Sequence, residues 1–329
     1  MNVSDRLYGE QEINEPVILE LIASPAMQRL KGVSQHAFVS RELEFSRFEH
    51  SLGVYFLLKR YGAPLEEQIA GLIHDVSHSA FSHCIDYVIP EGSGQKQNYQ
   101  DKIFSEFVLN SEIPSLLKKY DFDINYILDD THFPLKEKTL PELCADRLDY
   151  SLRLALTAQK LTAQKMGRRE LDEVLNGLKA ENGLWFFANL ALARRYAILF
   201  SDLNRNFYAH LLAAGVYART GAYLRYALEK NYISHDDLYT TEADVLEKIA
   251  VHHAADAEAQ RLFEKMNDKT GFTNNPDDYD VVIHLKSRAV DPYFKDGEKL
   301  KKLSAADPTW GVALAEELKP KEYFVKFTC

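Results

Sequence analysis

Cysteine is scarce in this chain: Cys84, Cys144 and Cys329 are the only three, widely separated and without a Cys-x-x-Cys pair. That spacing argues against a disulfide framework and a zinc ribbon, and it predicts reduced thiols. Long apolar runs are missing as well, so no segment reaches the roughly 20 residues that a membrane-spanning helix requires. The opening MNVSDRLYGE is polar and lacks the apolar core of a signal peptide. These absences predict a soluble, cytoplasmic protein with no membrane partner. Positive charge is in the minority, 39 Lys and Arg against 49 Asp and Glu for a formal charge of -10, which argues against a general nucleic-acid surface. An anionic ligand therefore needs a local positive site within a negative field. Internal repeats and low-complexity tracts are absent too.

What is present is enough apolar material for a substantial core, 46% of 329 residues, which suits one large or two modest domains. The expected division is 1–180 and 181–329. Glu15-Pro16 opens a helix with Val17, Ile18, Leu21 and Ile22 on its apolar side, and Ser24-Pro25 breaks it before a second helix carrying Met27, Leu30 and Val33. Tyr61-Gly62-Ala63-Pro64 ends a helix marked by Phe48, Leu52, Val54, Tyr55 and Phe56. The polar, glycine-containing stretch 91–98 reads as a mobile loop and a candidate lid. From 184 to 229 the chain has few breakers, which predicts long helices packed on the first domain or on a second copy of the chain, so a homo-oligomer is expected as one option. After a polar break at 267–271, alternation over 279–287 predicts a strand with 322–327 as its partner. The expected class is mainly α, with a small C-terminal β element.

The most informative word is His74-Asp75, set inside Ile69-Ala70-Gly71-Leu72-Ile73-His74-Asp75-Val76-Ser77-His78. Apolar residues at 69, 70, 72, 73 and 76 predict a buried helix, so an imidazole and a carboxylate fall where solvated residues are not expected. Burying such a pair alone is costly; a bound metal offsets that cost, and so does a hydrogen-bonded structural couple. Two other segments carry the same kind of residue. Arg47 and His50, three apart, share a helix face, and Asp146, Asp149, Tyr150 and Arg153 are interspersed among Leu143, Ala145, Leu148 and Leu152.

The words RFEHSLGV, IAGLIHDVSHSAFSH and ADRLDY, in that order, resemble the HD-domain superfamily of metal-dependent phosphohydrolases, whose pattern is one His, a His-Asp doublet and a distant Asp. They look most like the branch containing deoxynucleoside triphosphate triphosphohydrolases. The resemblance begins near Asp5, runs to about Tyr150 and then thins, although Tyr208-Ala209-His210 and 282–293 still look family-like. It implies an HD-type helical bundle with His50, His74, Asp75 and Asp146 as metal ligands. Two His with two Asp suit Mn, Fe, Co, Ni, Zn or Mg to different degrees. The implied partner is a phosphorylated small molecule, a nucleotide, attacked by a metal-activated water with Asp75 counted among the catalytic groups. His78 and His83 stand where the family places histidines beside the phosphates, as donors or as the leaving-group acid; a second metal is the other option, and the donor role is favoured. Arg47 stands three residues before the first metal His, where the family Arg contacts phosphate, and Arg147 where a basic residue is common. Tyr150 matches a Tyr that approaches sugar or phosphate, Gln35 a Gln near the sugar 3'-hydroxyl, and Tyr208 a Tyr near the nucleoside. Arg153 is a further cationic candidate or simply the partner of Asp149.

The departures bear on the reaction. The triphosphohydrolases carry a His-Glu or similar pair soon after the doublet, whose His helps protonate the leaving group. Here 97–101 reads Gln-Asn-Tyr-Gln-Asp, and no His lies between His83 and His132. Ala23 stands where guanine-regulated members carry an acidic residue, so activation by guanine nucleotides is not expected. Release of the whole triphosphate from a (d)NTP is the nearer match, whereas removal of a single phosphate by a phosphomonoesterase fits the lost pair. A catalytically degenerate nucleotide-binding module is a third reading, opposed by the intact set of four ligands.

Overall fold

The computed structural model describes residues 1–36, 45–158 and 166–328. An antiparallel hairpin opens the chain, β1 (Asn2–Asp5) against β2 (Gly9–Glu12), in a register that sets Asp5 opposite Gly9. Pro16 and Pro25 then start α1 (Pro16–Ala23) and α2 (Pro25–Arg29), as proline does best at a first turn, where its missing N–H has no partner to lose. Next come α3 (Arg47–Arg60), begun by a reciprocal Ser46–Glu49 capping box, and α4 (Leu65–Ile73). A Cβ on Gly71 would sit 2.4 Å from Leu58 Cδ1, so glycine lets these two helices approach closely. Three short helices follow, α5 (Tyr99–Leu109), α6 (Ile113–Lys119) and α7 (Ile124–Leu128), and then α8 (Ala145–Thr157) and α9 (Arg168–Gly177).

The second half alternates small sheets with long helices. In chain order it holds β3 (Leu178–Glu181), β4 (Leu184–Phe187), α10 (Leu190–Leu203), α11 (Leu211–Glu229), α12 (Glu242–Ala250), α13 (Ala257–Asn267), β5 (Phe272–Asn274), β6 (Val281–Leu285), β7 (Tyr293–Asp296), β8 (Lys299–Lys302), α14 (Leu303–Ala306), α15 (Pro308–Glu317) and β9 (Lys321–Phe327). One sheet runs β3-β4-β7-β8 and another β5-β9-β6. The expected strand pair is present as β6 against β9, with Val281 opposite Val325 and Leu285 opposite Lys321. The stretch from 184 begins differently from its expectation: Leu184–Phe187 is a strand, paired with β3 and with β7, because tertiary pairing overrides the helical tendency of so short an apolar run.

Three apolar clusters hold these elements. α1, α4 and the outer side of α3 share one, through Ile18, Leu21, Tyr55, Phe56 and Ile69. The other side of α3 meets α8, α10 and β4 through Leu57, Leu148, Leu152, Trp185, Phe187 and Phe200, a cluster that draws on residues from both sides of 180. The third joins α11 to β6 and β9. Each fully buried Leu or Phe contributes roughly 1.5–3 kcal/mol, so α3, buried on nearly every side, is fixed firmly with His50 inside it. Among the described residues no helix is long and apolar enough to cross a membrane.

Candidate metal centre and its cleft

Three elements deliver the expected ligands. His50 lies one turn into α3, Asp146 lies in the first turn of α8, and His74 caps α4, with Asp75 in the turn beyond. The doublet was expected within its helix, but α4 stops at Ile73. The chain there turns instead, with Val76 and His78 donating their N–H groups to the carbonyls of Ile73 and Asp75. This exit turns the two polar side chains away from the apolar packing of α4.

His50 Nε2 lies 2.8 Å from Asp146 Oδ1 and 3.2 Å from His74 Nε2, and His74 Nε2 lies 3.5 Å from the same carboxylate oxygen. Two imidazole nitrogens this close repel if both carry protons or both present lone pairs, and a shared cation removes the conflict. The spacings are also close to the edges, about 3 Å, of an octahedron with bonds of about 2.1 Å. The donor set therefore fits a divalent cation. Asp75 stands beside this trio: Oδ1 is 3.4 Å from His74 Nε2 and Oδ2 is 3.9 Å from His50 Nε2. Oδ2 also accepts a hydrogen bond from Arg47 Nη1 at 2.7 Å, and Oδ1 lies 3.2 Å from His78 Nε2.

A layer of charge stands behind the ligands. His50 Nδ1 pairs with Asp149 Oδ2 at 2.7 Å, the carboxylate–imidazole arrangement that orients a ligating ring. Arg153 grips both oxygens of Asp149 at 3.1 and 3.0 Å and reaches Asp5 at 3.0 Å, so Arg153 is the partner of Asp149. Only glycine fits at position 53, because a Cβ there would come within 2.0 Å of Asp149 Oδ1. His74 Nδ1 faces the carbonyl of Gly71 at 2.8 Å, which leaves Nε2 toward the centre. Burial by itself lowers the His50 imidazole, but Asp146 and Asp149 outweigh it and hold the group at about 9. Burial raises the Asp75 carboxyl, and Arg47 and His74 overcome that and keep it well below the usual carboxylate range.

The ligands open into a cleft of about 810 Å³ whose lining includes Arg47, His78, His83, Arg147, Tyr150 and Gln35. Arg47 Nε donates to Ser82 Oγ at 2.8 Å, and that hydroxyl donates to the Ser34 carbonyl at 2.5 Å. Phe81 and Ser82 adopt left-handed backbone angles, φ 61° and 46°, a strained turn that sets Ser82 against the guanidinium. Arg47 Nη2 is buried and has no partner among the described residues. Arg147 is more fully engaged, donating to the carbonyls of Glu142 and Lys138 at 2.5 and 3.1 Å and to Cys144 Sγ at 3.0 Å. It buckles the segment before α8 as well as lining the cleft. His78 and His83 pack edge to face, 5.2 Å between centroids. Burial and the nearby Arg47 push His78 well down, and burial takes His83 to about 4. Both are neutral imidazoles at pH 7.

A smaller chamber of about 60 Å³ continues from the cleft and is lined by Gln35, His36, Tyr150, Phe207, Tyr208 and Arg288, among others. A π-helical turn, Asn204–Tyr208, ends α10 and delivers the last two aromatic rings. Tyr150 and Tyr208 meet edge to face at 5.5 Å. Gln35 Oε1 and the Tyr208 hydroxyl are buried without partners among the described residues. The stretch 91–98, expected as a mobile lid, is tied down: Gln97 is buried, its amide meets the Tyr87 hydroxyl at 3.2 Å, and its carbonyl accepts from Arg288 at 3.0 Å. Gln97, Gln100 and Asp101 line the cleft where the family's His-Glu pair was missed.

His36, Lys136, Glu137, Lys138, Lys286 and Arg288 also line these cavities and were not anticipated. Burial and Asp146 raise the Glu137 carboxyl to about 7, and burial together with Arg288 lowers Lys286 to about 8. Lys286 and Arg288 fall in the family-like stretch 282–293, yet a basic residue after a strand has no periodicity to mark it. Asp149 was more legible, four residues before Arg153 and three after Asp146 on one helix.

Comparison with known proteins matches the HD domain family over residues 47–154. An uncharacterized Bacillus subtilis protein, YdhJ, is 33% identical over 296 residues, 89% of this chain and 88% of that one. A deoxynucleoside triphosphate triphosphohydrolase, SAMHD1 of Gallus gallus, is 27% identical over 166 residues, 42% of this chain and 27% of its own. Among solved structures, a phosphohydrolase from Bacteroides thetaiotaomicron superposes with a TM-score of 0.73 over 100% of both chains at 16% identity, a likeness of fold. The metal-dependent phosphohydrolase cns2 of Cordyceps militaris is 30% identical over 327 residues, 94% of this chain and 90% of that protein. With three segments of the chain meeting at one cation-sized cluster of histidines and carboxylates, these likenesses place it in the HD-domain family, and it is a metal-dependent phosphohydrolase.

Proposed function

We propose that this enzyme hydrolyses a nucleotide, releasing triphosphate from a (d)NTP by water attack at the phosphate nearest the sugar. One observation carries the reading: Gln35, His83, Gln97, Tyr150 and Arg288 line both the metal-side cleft and the aromatic chamber. A molecule with its phosphate at the ligands can therefore keep its nucleoside in the large cleft beside Tyr150, with one edge turned into the small chamber toward Tyr208. The SAMHD1 likeness supports the same substrate class. Residues 1–180 supply the catalytic unit in this reading, and 181–329 complete the cleft with Lys286 and Arg288 and the chamber with Tyr208.

His50, His74, Asp75 and Asp146 would hold the cation, which when bound lowers the pKa of a coordinated water and screens phosphate charge. Arg47 offers its free Nη2 to a phosphate oxygen, already aimed by Ser82 and Asp75. His83, neutral in this site, acts as an N–H donor to a phosphate oxygen. The single N–H of neutral His78 is taken by Asp75 Oδ1 at 3.2 Å, so His78 orients that ligand and offers the cleft only an accepting nitrogen. Tyr150 and Gln35 orient the sugar, and Tyr208 covers the nucleoside. Arg147 adds positive potential while keeping its cleft segment in place.

One observation favours the phosphomonoesterase reading instead. No imidazole occupies 97–101, where the triphosphohydrolase branch carries its His-Glu pair, and Gln97 is held there by Tyr87 and Arg288. Product analysis separates the two. The metal-replete enzyme is incubated with a nucleotide panel, and chromatography follows nucleoside and phosphate products together. Triphosphate with free nucleoside is the expected outcome; orthophosphate without triphosphate would establish the monoesterase.

A further inference from the structure

Lys286 follows β6 directly, is half-buried, and lines the cleft. Most other cations around it are engaged. Lys136 is closed off by Asp130 at 2.5 Å, Arg147 by two carbonyls, and Arg288 by Gln97 Oε1 and the Lys286 carbonyl, each at 3.0 Å. The Lys286 ammonium makes no hydrogen bond or ion pair with any described residue. It feels the charges of Asp101 and Glu137, which line the same cleft, yet neither comes within ion-pair distance. Lys138, also half-buried on this cleft, has an ammonium without a partner among the described residues too.

A partly desolvated cation without a partner is unfavourable, and an anionic ligand relieves it. Burial and Arg288 bring Lys286 down only to about 8, so most of it remains charged at neutral pH. In a chain of formal charge -10, two ammonium groups without partners among the described residues stand on one cleft as points of positive charge. An ammonium on a flexible stem also suits a phosphate whose orientation is not fixed by the chemistry, whereas the planar Arg47 stands at the ligands.

We propose that Lys286, assisted by Lys138, is a second anion-binding point in the cleft, apart from the metal ligands, and that it receives a phosphoryl group other than the one attacked. The preferred substrates are then esters carrying at least two linked phosphoryl groups. This deepens the nucleotide reading and rests on its placement of the attacked phosphate at His50, His74 and Asp146.

The test uses inorganic tripolyphosphate, which has no nucleoside. Tripolyphosphate and orthophosphate are titrated calorimetrically into the metal-loaded protein at one fixed free-metal concentration, for wild type, Lys286→Gln, Lys286→Arg and Lys138→Gln. Lys286→Gln is expected to weaken tripolyphosphate about 10- to 100-fold, the scale of a charge-assisted hydrogen bond, and orthophosphate far less. Lys286→Arg retains most of the affinity, and Lys138→Gln shows a smaller loss of the same kind. Equal weakening of both anions overturns the proposal by placing Lys286 at the attacked phosphate, and an unchanged tripolyphosphate affinity overturns it by leaving Lys286 a bystander. If tripolyphosphate binding depends on Lys286 while no nucleoside triphosphate is hydrolysed, the anion point stands and the nucleotide reading falls.

Discussion

The two sides of the cleft differ in how the polar atoms that face it are satisfied. On the ligand side both nitrogens of His50 are paired, Asp75 is held by Arg47, and Asp149 is gripped by Arg153. On the substrate side Gln35 Oε1, the Tyr208 hydroxyl and Arg47 Nη2 have no partner among the described residues. Buried polar groups are almost always paired, so a concentration of orphans marks where a ligand supplies the missing partners. In the proposed reading the ligand side is a centre built in advance, and the other side is a surface completed by what it binds.

The comparison breaks most severely at a ligand. Asp75→Ala is expected to strip the metal and to lower kcat/KM by about 1000-fold or more, the equivalent of several kcal/mol of transition-state stabilisation; metal analysis beside kinetics checks both. Arg47→Ala should also weaken metal binding, though less, because Arg47 is bound to Asp75 as well as facing the cleft. A variant that kept full metal occupancy with a lowered substrate affinity would show that the ion pair is dispensable to the ligand.

Removing charge one layer back is expected to cost less. Asp149→Asn should lower metal affinity about 10- to 100-fold, since the ring of His50 loses its anionic partner, and a metal titration with thermal melts would follow it. Among the described residues Arg153 then keeps only Asp5 as a carboxylate partner, so the melting temperature should fall as well.

Proton competition sharpens the same contrast. The metal-free His50 is held up at about 9, so below that pH a cation must displace its proton. Metal affinity should therefore rise about 10-fold per pH unit between pH 7 and 9 and then flatten. Stability of the metal-free protein runs the other way. A raised imidazole contributes most below its ordinary 6.5, and that contribution is lost as pH climbs through about 9. Metal-free protein should melt lower at pH 9 than at pH 7, and metal-loaded protein should not show this fall.

The smallest expected effect is at the substrate-side histidines. If His83 is a neutral donor, His83→Gln should slow a 5'-nucleoside ester and a p-nitrophenyl ester by a similar factor, about 10-fold for one hydrogen bond. A loss of about 100-fold or more confined to the nucleoside ester would make His83 the leaving-group acid.

Much of the ligand side was legible because its signals are local. Polar residues interrupt apolar helical runs at His50, His74 and Asp146, and such interruptions need a reason. The Asp149–Arg153 pair was legible at a spacing of four. The substrate side was mostly not, because Lys286, Arg288 and His36 look like any surface residue until the chain folds. The N-terminal hairpin and the strand at Leu184–Phe187 escaped for a related reason, since four-residue strands take their identity from the partner they pair with.

The sequence by itself determined the helical class, the extended stretches that become β6 and β9, and the residue types able to hold a cation. Hydrophobic periodicity and turn residues act over a few positions and need no distant partner. Only the tertiary structure decided that α4 ends before its doublet, that Asp149 backs His50, that 91–98 is anchored, and which cations on the cleft remain unpaired. Each of these depends on contacts between residues far apart in the chain, such as Asp149 with His50 or Gln97 with Arg288. Burial then turns those contacts into charge states and unfilled partners that no local pattern encodes.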